Sequence, residues 1–328
     1  MARASASHIH FHDLLADSHT ATSSLLEDAL QGLSEPPRTL PPKHFYDQRG
    51  SELFDRICEQ PEYYPTRTEE SILEQALPTI AKHLGQETTL IELGSGASRK
   101  IRLLLNALRP QRYVGIDISR DFLIDSTEQL AADHPWLDVH ALCADFTTPL
   151  TLPAQLANSE RPVAFFPGSS IGNFAPDEAS VMLGHLRNML PVGGGLLIGV
   201  DMIKSPAILE AAYNDAAGVT AEFNRNLICR LRDELGAEID PADFDHRAFY
   251  NSDVCRIEMH LVSRRDQRFM LGETPIALQQ GESIHTEDSW KYSDASFEEM
   301  AGQAGFAPVE SWHDPEGLFG VYYFTRAA

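Results

Sequence analysis

The 328-residue sequence predicts an α/β fold: a doubly wound sheet with antiparallel C-terminal strands, plus a smaller accessory α+β domain. Three observations predict it. First, Leu90-Ile91-Glu92-Leu93-Gly94-Ser95-Gly96 reads as a buried strand entering a glycine turn. A helix over Lys100–Leu108 follows, then a second buried strand, Tyr113-Val114-Gly115-Ile116-Asp117, ending in a carboxylate. Second, Val163–Gly168 is a continuous apolar run of the kind expected for a fully buried parallel strand, a short apolar run at Leu142–Ala144 precedes Asp145, and Leu196–Asp201 reads as the next strand after a helix over Leu183–Leu190. Third, a helix over Phe297–Ala304, Gly305, then Val309–Trp312 and Val321–Phe324 predict a closing antiparallel pair.

The other elements follow in chain order. Residues 1–20 are polar and rich in Ala, Ser and His, and are expected to be a flexible N-terminus. Ser23–Leu33 reads as a short helix, and Pro36-Pro37 and Pro41-Pro42 bracket an extended segment. Ser51–Cys58 is predicted helical with Ser51 as N-cap, and Glu69–Leu84 is a further helix entered through a loop over Pro61–Thr68. Ala207–Leu235 reads as helical with an interruption near Gly218, and Glu238–Asp245 as an acidic linker. Val254–Ser263, Arg268–Leu271 and Thr274–Leu278 read as strands. An insertion of about 80 residues between two sheet strands is too long for a connection. The expected division is therefore a cofactor domain over 66–201 and 286–328 and an accessory substrate domain over 21–65 and 202–285.

Composition narrows the function. Against 26 basic residues stand 48 acidic ones, a formal charge of −22, which repels phosphate backbones and anionic lipids. A nucleic-acid or membrane partner is not expected; a small neutral or cationic substrate is. Four dispersed cysteines (Cys58, Cys143, Cys229, Cys255) show no metal-binding spacing, so no metal is expected, and His8 and His10 read as incidental. No run reaches membrane-span length and no secretory signal is evident, which predicts a soluble cytoplasmic protein. No hydrophobic seam suggests an obligate interface, so a monomer is expected.

The glycine turn and the following acid point to an adenosine-bearing cofactor. Glycines let backbone approach a ligand closely, and an acid ending the next strand suits ribose hydroxyls. A dinucleotide wants a small residue three after the second glycine, where Arg99 stands, and Glu92 suits a cation better than a diphosphate. S-adenosyl-L-methionine carries a sulfonium and an ammonium and no phosphate. The strand–Glu-x-Gly-x-Gly–helix pattern accordingly resembles motif I of class I methyltransferases, whose fold is Rossmann-like, and Asp145 stands where such enzymes bind the adenine amino group.

More specific segments narrow the resemblance: FYDQRGSELFDRICEQPEYYPTRTE (45–69), IELGSGASRKIRLLL (91–105), FFPGSSIGNF (165–174), AAYND (211–215) and IHTEDSWKYS (284–293). Together they resemble the histidine-specific methyltransferases that make Nα,Nα,Nα-trimethylhistidine (hercynine) in ergothioneine biosynthesis, and the likeness runs from residue 36 to the end. The resemblance implies cofactor contacts from Gly94, Lys100, Asp117, Asp145 and Phe146, with Glu92 and Gly96 in the same loop. It implies an L-histidine pocket built from Tyr64, Asn173, Tyr213, Glu287 and Ser289, lined by Met259. Tyr64, Asn173 and Tyr213 would hold the amino-acid head and position the reacting amine, and Glu287 and Ser289 the imidazole.

Each residue also has a structural reading. Glu287 can be a solvated loop acid, Asn173 a turn or helix cap before Pro176, Tyr213 and Met259 core, and Lys100 a surface cation. Tyr63 and Tyr64 compete for the substrate-facing role. Asp117 is hardest to explain structurally, because it ends a buried strand. Two other functions fit the same fold: methylation of another amino acid or a thiol-imidazole metabolite, and a non-catalytic cofactor-binding regulator.

Overall fold

The computed structural model describes residues 9–15, 21–85, 87–96, 99–153, 156 and 161–328. It divides into two compact units, one formed by the described residues of 1–15, 65–203 and 291–328, the other by those of 16–64 and 204–290.

The first unit is built on eight strands: β1 (Ile9–Asp13), β3 (Thr89–Leu93), β4 (Arg112–Asp117), β5 (Asp138–Cys143), β6 (Pro162–Phe166), β7 (Gly195–Asp201), β13 (Phe306–His313) and β14 (Phe319–Arg326). Their order across the sheet is β1-β5-β4-β3-β6-β7-β14-β13. β1, β3, β4, β5, β6 and β7 pair in parallel, and β14 and β13 run antiparallel, the closing pair that the sequence predicts. Both faces are covered, which is why β3 and β6 are buried along their whole length. On one face Leu90, Tyr113, Val139 and Phe165 pack with Ile72, Leu73 and Ile80 of the helix Tyr64–Leu84 and Leu104 and Leu105 of the helix Arg99–Leu108. On the other, Ile91, Val114, Ile116 and Leu142 pack with Leu152 and Leu156.

The flexible terminus expected for 1–20 is corrected over residues 9–13, which form an edge strand in register with β5 (His10 opposite His140). Residues 1–8 and 16–20 lie outside the described residues. The helix expected from Glu69 begins at Tyr64, because Pro65 suits a first helical turn and cannot hold an interior hydrogen bond.

The second unit contains β2 (Arg38–Thr39), β8 (Phe244–Asn251), β9 (Arg256–Ser263) and β12 (Ser283–Trp290) as one sheet, ordered β2-β12-β9-β8, and the hairpin β10 (Gln267–Leu271)–β11 (Thr274–Leu278). Its helices are Ala21–Leu33, Gln48–Cys58, Pro206–Tyr213 and Val219–Leu235. Gly218, at φ +74, separates the last two, as the sequence predicts. The acidic stretch 238–245 is not a linker throughout: Phe244 is buried and starts β8. Residues 286–290, expected in the cofactor domain, belong to β12 and hence to this unit.

The helix expected from Ser51 starts at Gln48. Asp47 is its N-cap: the carboxylate accepts from Gly50 N–H (2.7 Å) and Asn226 Nδ2 (2.8 Å). Gly50 is required there, since a Cβ would overlap the Phe45 carbonyl oxygen. Phe45 is itself fixed by stacking on Phe223 at 4.4 Å. Gly50→Ala is therefore expected to destabilise the protein by about 3 kcal/mol. Gly184→Ala, in the helix Pro176–Met189 with nothing near the added methyl, is the control and should be neutral or slightly stabilising. Thermal unfolding of both variants tests this; equal midpoints would refute the steric account.

Candidate functional site

The sheet order places β3 beside β6 while β4 and β5 run to one side and β7 to the other. Such a switch point opens a crevice at the C-terminal ends of the strands, where ligands bind in open α/β sheets. The segments that follow β3 and β5, with the last residue of β4, supply the predicted cofactor residues, and Asn173 follows β6.

The loop after β3 is held by its backbone. Gly94 N–H (2.9 Å) and Ser95 N–H (3.1 Å) both donate to Ile116 carbonyl oxygen at the end of β4. Gly94 (φ +64) and Gly96 (φ +46) adopt the left-handed conformation that a side chain would strain. Asp117 then closes the loop: Oδ2 accepts from Gly96 N–H and Oδ1 from Ser119 N–H, both at 2.9 Å. Burial pushes this carboxyl upward, and the backbone N–H groups of Ser119, Gly96 and Ile118 oppose the shift. The acid is thus part of the scaffold of the glycine loop, a role the sequence does not reveal, and each oxygen retains a second lone pair for a ligand.

Asp145 and Phe146 follow the end of β5, and Phe146 reaches the same loop. Asp145 Oδ1 accepts from Thr147 N–H (2.9 Å) and Oγ1 (2.6 Å), which fixes its turn. The Phe146 ring stands 5.7 Å, edge to face, from Phe166, and its edge lies 3.7 Å from where a Cβ on Gly94 would be. Glu92, 2% exposed, accepts from Tyr113 Oη at 2.6 Å. Burial drives its carboxyl up to about 8 despite that hydrogen bond, with Lys100 drawing it down and Asp117 and Glu69 pushing it up.

Lys100 is not the plain surface cation allowed for it. Its Nζ lies 2.5 Å from Oε2 of Glu69, which is wholly buried and also accepts from Gly168 N–H at 2.8 Å. Sequence reading passed over Glu69 as a residue opening a helix. The same unit holds Asn173, half-buried at the end of the 3₁₀ turn Ser170–Asn173. It does not cap the next helix: that N-cap is Ala175, whose N–H donates to Glu178 Oε2 (3.0 Å).

The second unit brings together Tyr63, Tyr213, Glu287, Ser289 and Met259. Tyr213 Oη donates to Ser289 Oγ (2.8 Å), and the Tyr63 and Tyr213 rings meet edge to face at 6.3 Å. A bulge in β12 between His285 and Glu287 resets the strand, after which Glu287 registers with Met259 and Ser289 with Ile257. Glu287 and Ser289 therefore share a face, Glu287 half-buried and Ser289 buried. Met259, 1% exposed, is packed as core. Tyr63 feels Tyr213 and Glu287, and burial foremost holds its phenol well above its ordinary range. Tyr64 makes a different contact: its hydroxyl accepts from Lys204 Nζ (2.7 Å), which also stands 4.6 Å from its ring centre. Lys204 carried no sequence signal.

A family model described as histidine-specific, S-adenosylmethionine-dependent methyltransferase matches residues 25–326. The chain is 39% identical over 319 residues to the histidine N-alpha-methyltransferase of Mycolicibacterium smegmatis, covering 95% of this chain and 98% of that protein. It is 38% identical over 304 residues to the Mycobacterium tuberculosis protein of the same name, covering 91% and 94%. It is also 32% identical over 287 residues to ergothioneine biosynthesis protein 1 of Neurospora crassa, covering 84% of this chain and 32% of that longer protein.

Glu92 yields a pH test. The folded carboxyl keeps its proton to about 8, whereas the unfolded one releases it near 4.5. Between these values the unfolded state binds fewer protons, so the group's contribution to stability is full at acid pH and declines as pH rises, by up to about 1.4 kcal/mol per unit. Glu92→Gln cannot ionise and should remove that slope. Urea unfolding between about pH 5.5 and 7.5 should show wild type losing stability relative to the variant; a constant difference would mean that Glu92 is ionised throughout.

Proposed function

Because this chain belongs to the family of histidine-specific, S-adenosylmethionine-dependent methyltransferases, we propose that it methylates the α-amino group of L-histidine, as far as Nα,Nα,Nα-trimethylhistidine, in ergothioneine biosynthesis. The observation that carries the substrate half is the Tyr213–Ser289 hydrogen bond on the strand face that also presents Glu287.

The residues of the first unit fit the cofactor. Ser95 Oγ is buried without a hydrogen-bond partner in the glycine loop, a polar atom that a polar ligand would satisfy. Asp117 would take ribose hydroxyls on its remaining lone pairs, Asp145 the adenine amino group, and Phe146 an adenine face, with Gly94 and Gly96 giving the close approach and Lys100 an anionic terminus. When bound, S-adenosylmethionine supplies an electrophilic methyl group on a sulfonium with a good leaving group.

What remains for the protein is positioning and proton control. Displacement needs a neutral amine about 3–3.5 Å from the methyl carbon, in line with the breaking bond. Imidazole offers one donor and one acceptor. Glu287 would accept from the ring N–H, and Ser289 would donate to the other nitrogen while accepting from Tyr213. Tyr63, held protonated by burial, acts as a donor and a ring face, not as a base. Aromatic faces also tolerate the quaternary ammonium that accumulates with successive transfers. For Asn173 and Tyr64, contact with the amino-acid head rests on the family motif. Among the described residues no helix is long and apolar enough to cross a membrane. The acidic composition supports an enzyme acting on a free metabolite and not on nucleic acid or an anionic membrane surface, and a cytoplasmic monomer completes the reading.

Incubation of the purified protein with S-adenosylmethionine and each amino acid, read by mass spectrometry, should give up to three added methyl groups on histidine alone. Cofactor binding with histidine unmodified would sink the substrate assignment. Glu287→Ala should raise the KM for histidine by about 100-fold, the worth of a charged hydrogen bond, with cofactor affinity unchanged. An unaltered KM would remove Glu287 from the pocket.

A further inference from the structure

We infer that His10, Asp138 and His140 form a binding site for a divalent transition-metal ion of the Zn²⁺ class at the β1–β5 edge of the first unit. The site is independent of the methyltransferase reading and of its residues.

Strand pairing assembles it. β1 and β5 run parallel with His10 opposite His140, and Asp138, two residues before His140, falls on the same face. His140 Nε2 lies 3.2 Å and His10 Nε2 3.6 Å from the same oxygen, Asp138 Oδ1, and the three ligand atoms all lie within 4.8 Å of one another. Ligands about 2.0–2.1 Å from a tetrahedral zinc ion stand roughly 3.4 Å apart, so little movement separates this arrangement from a coordination shell. The two imidazoles stack at 4.5 Å with planes 19° apart.

A second observation points to a ligand. His140 is 3% exposed, and its Nε2 has no hydrogen-bond partner: it stands near Asp138 Oδ1 but is not aligned with it. A buried polar atom left in this way costs stability unless something satisfies it. The surroundings are those of a supported metal site. His12 Nε2 lies 3.4 Å from His140 Nδ1, so His140 can donate from Nδ1 and keep the Nε2 lone pair for a metal. Arg112 Nε donates to Asp138 Oδ2 at 2.8 Å, fixing the carboxylate and leaving Oδ1 to coordinate. Two imidazoles and one carboxylate match borderline metals better than Ca²⁺ or Mg²⁺, and three protein ligands leave a place for water.

Glu258, His260 and His285 form a comparable group in the second unit. There His285 Nε2 faces two acceptors, the Glu287 carbonyl oxygen at 3.1 Å and Asp288 Oδ1 at 2.8 Å, so it donates and offers no lone pair to an ion. The β1–β5 group lies toward the start of β5, whereas Asp145 follows its end, so the ion would clamp the N-terminal strand to the sheet and take no part in catalysis.

Full-length protein stripped with chelator is titrated with Zn²⁺ by calorimetry, and amide exchange of residues 9–13 is followed with and without the ion. Wild type should bind one equivalent and gain protection in β1. His10→Gln, which alters an exposed side chain, and Asp138→Asn should each weaken binding by about tenfold or more and abolish the protection. His260→Gln should bind as wild type does. Absence of Zn²⁺ uptake, wild-type titration of both His10→Gln and Asp138→Asn, or a loss confined to His260→Gln would overturn the proposal.

Discussion

The C-terminal end of the large sheet depends on one carboxylate that water never reaches. Glu69 joins Lys100, at the start of the helix after β3, to the Gly168 backbone after β6, the two strands that flank the switch point. Three features of the sequence make sense only through it. A lysine in a first helical turn opposes the helix dipole, and the adjoining acid offsets that penalty. A glycine inside a central strand weakens the strand, yet Gly199 of β7 is required because any Cβ there would overlap Glu69 Oε1. Gly168 presents its N–H at φ +78, a conformation other residues resist. Removing one partner of such a buried pair leaves the other charge uncompensated, so loops that are distant in sequence are fixed together.

The parallel core was legible because its strands are apolar on both faces, and β3, β4, β6 and β7 lie where apolar runs and glycine turns predict. What was missed is what periodicity does not mark. β1, Ile9–Asp13, alternates histidine with apolar residues at a sheet edge and reads as a polar tail until β5 is beside it. β8 begins inside an acidic stretch, because Phe244 is drawn into a buried position by tertiary packing. The helix start at Gln48 turns on Asp47 being shared between Gly50 N–H and Asn226, a partner nearly 180 residues away.

The site divides in the same way. Gly94, Gly96 and Asp117 announce themselves, since a glycine turn and an acid ending a buried strand have few structural uses. The tether from Asp117 to Gly96, the Glu69–Lys100 pair and the Lys204–Tyr64 contact arise only from folding. In the second unit Glu287 and Ser289 stand two residues apart on one face of β12, and the bulge at His285/Glu287 precedes both. Neither spacing nor composition indicated that Tyr63 would meet Tyr213 while its neighbour Tyr64 turned to Lys204.

A carboxyl with the character of Glu92, neutral in its buried setting yet close to ionising at physiological pH, makes the charge of its surroundings a variable. S-adenosylmethionine enters a methyltransferase with a sulfonium and leaves as an uncharged thioether, so each turnover changes the positive charge in the cofactor site by one. An acid beside that site would be drawn toward ionisation by the cation and toward protonation by the neutral product. Exchange of the one for the other is then thermodynamically linked to pH. With Glu92 in that role, alkaline conditions would favour the fresh cofactor and mild acid the neutral product.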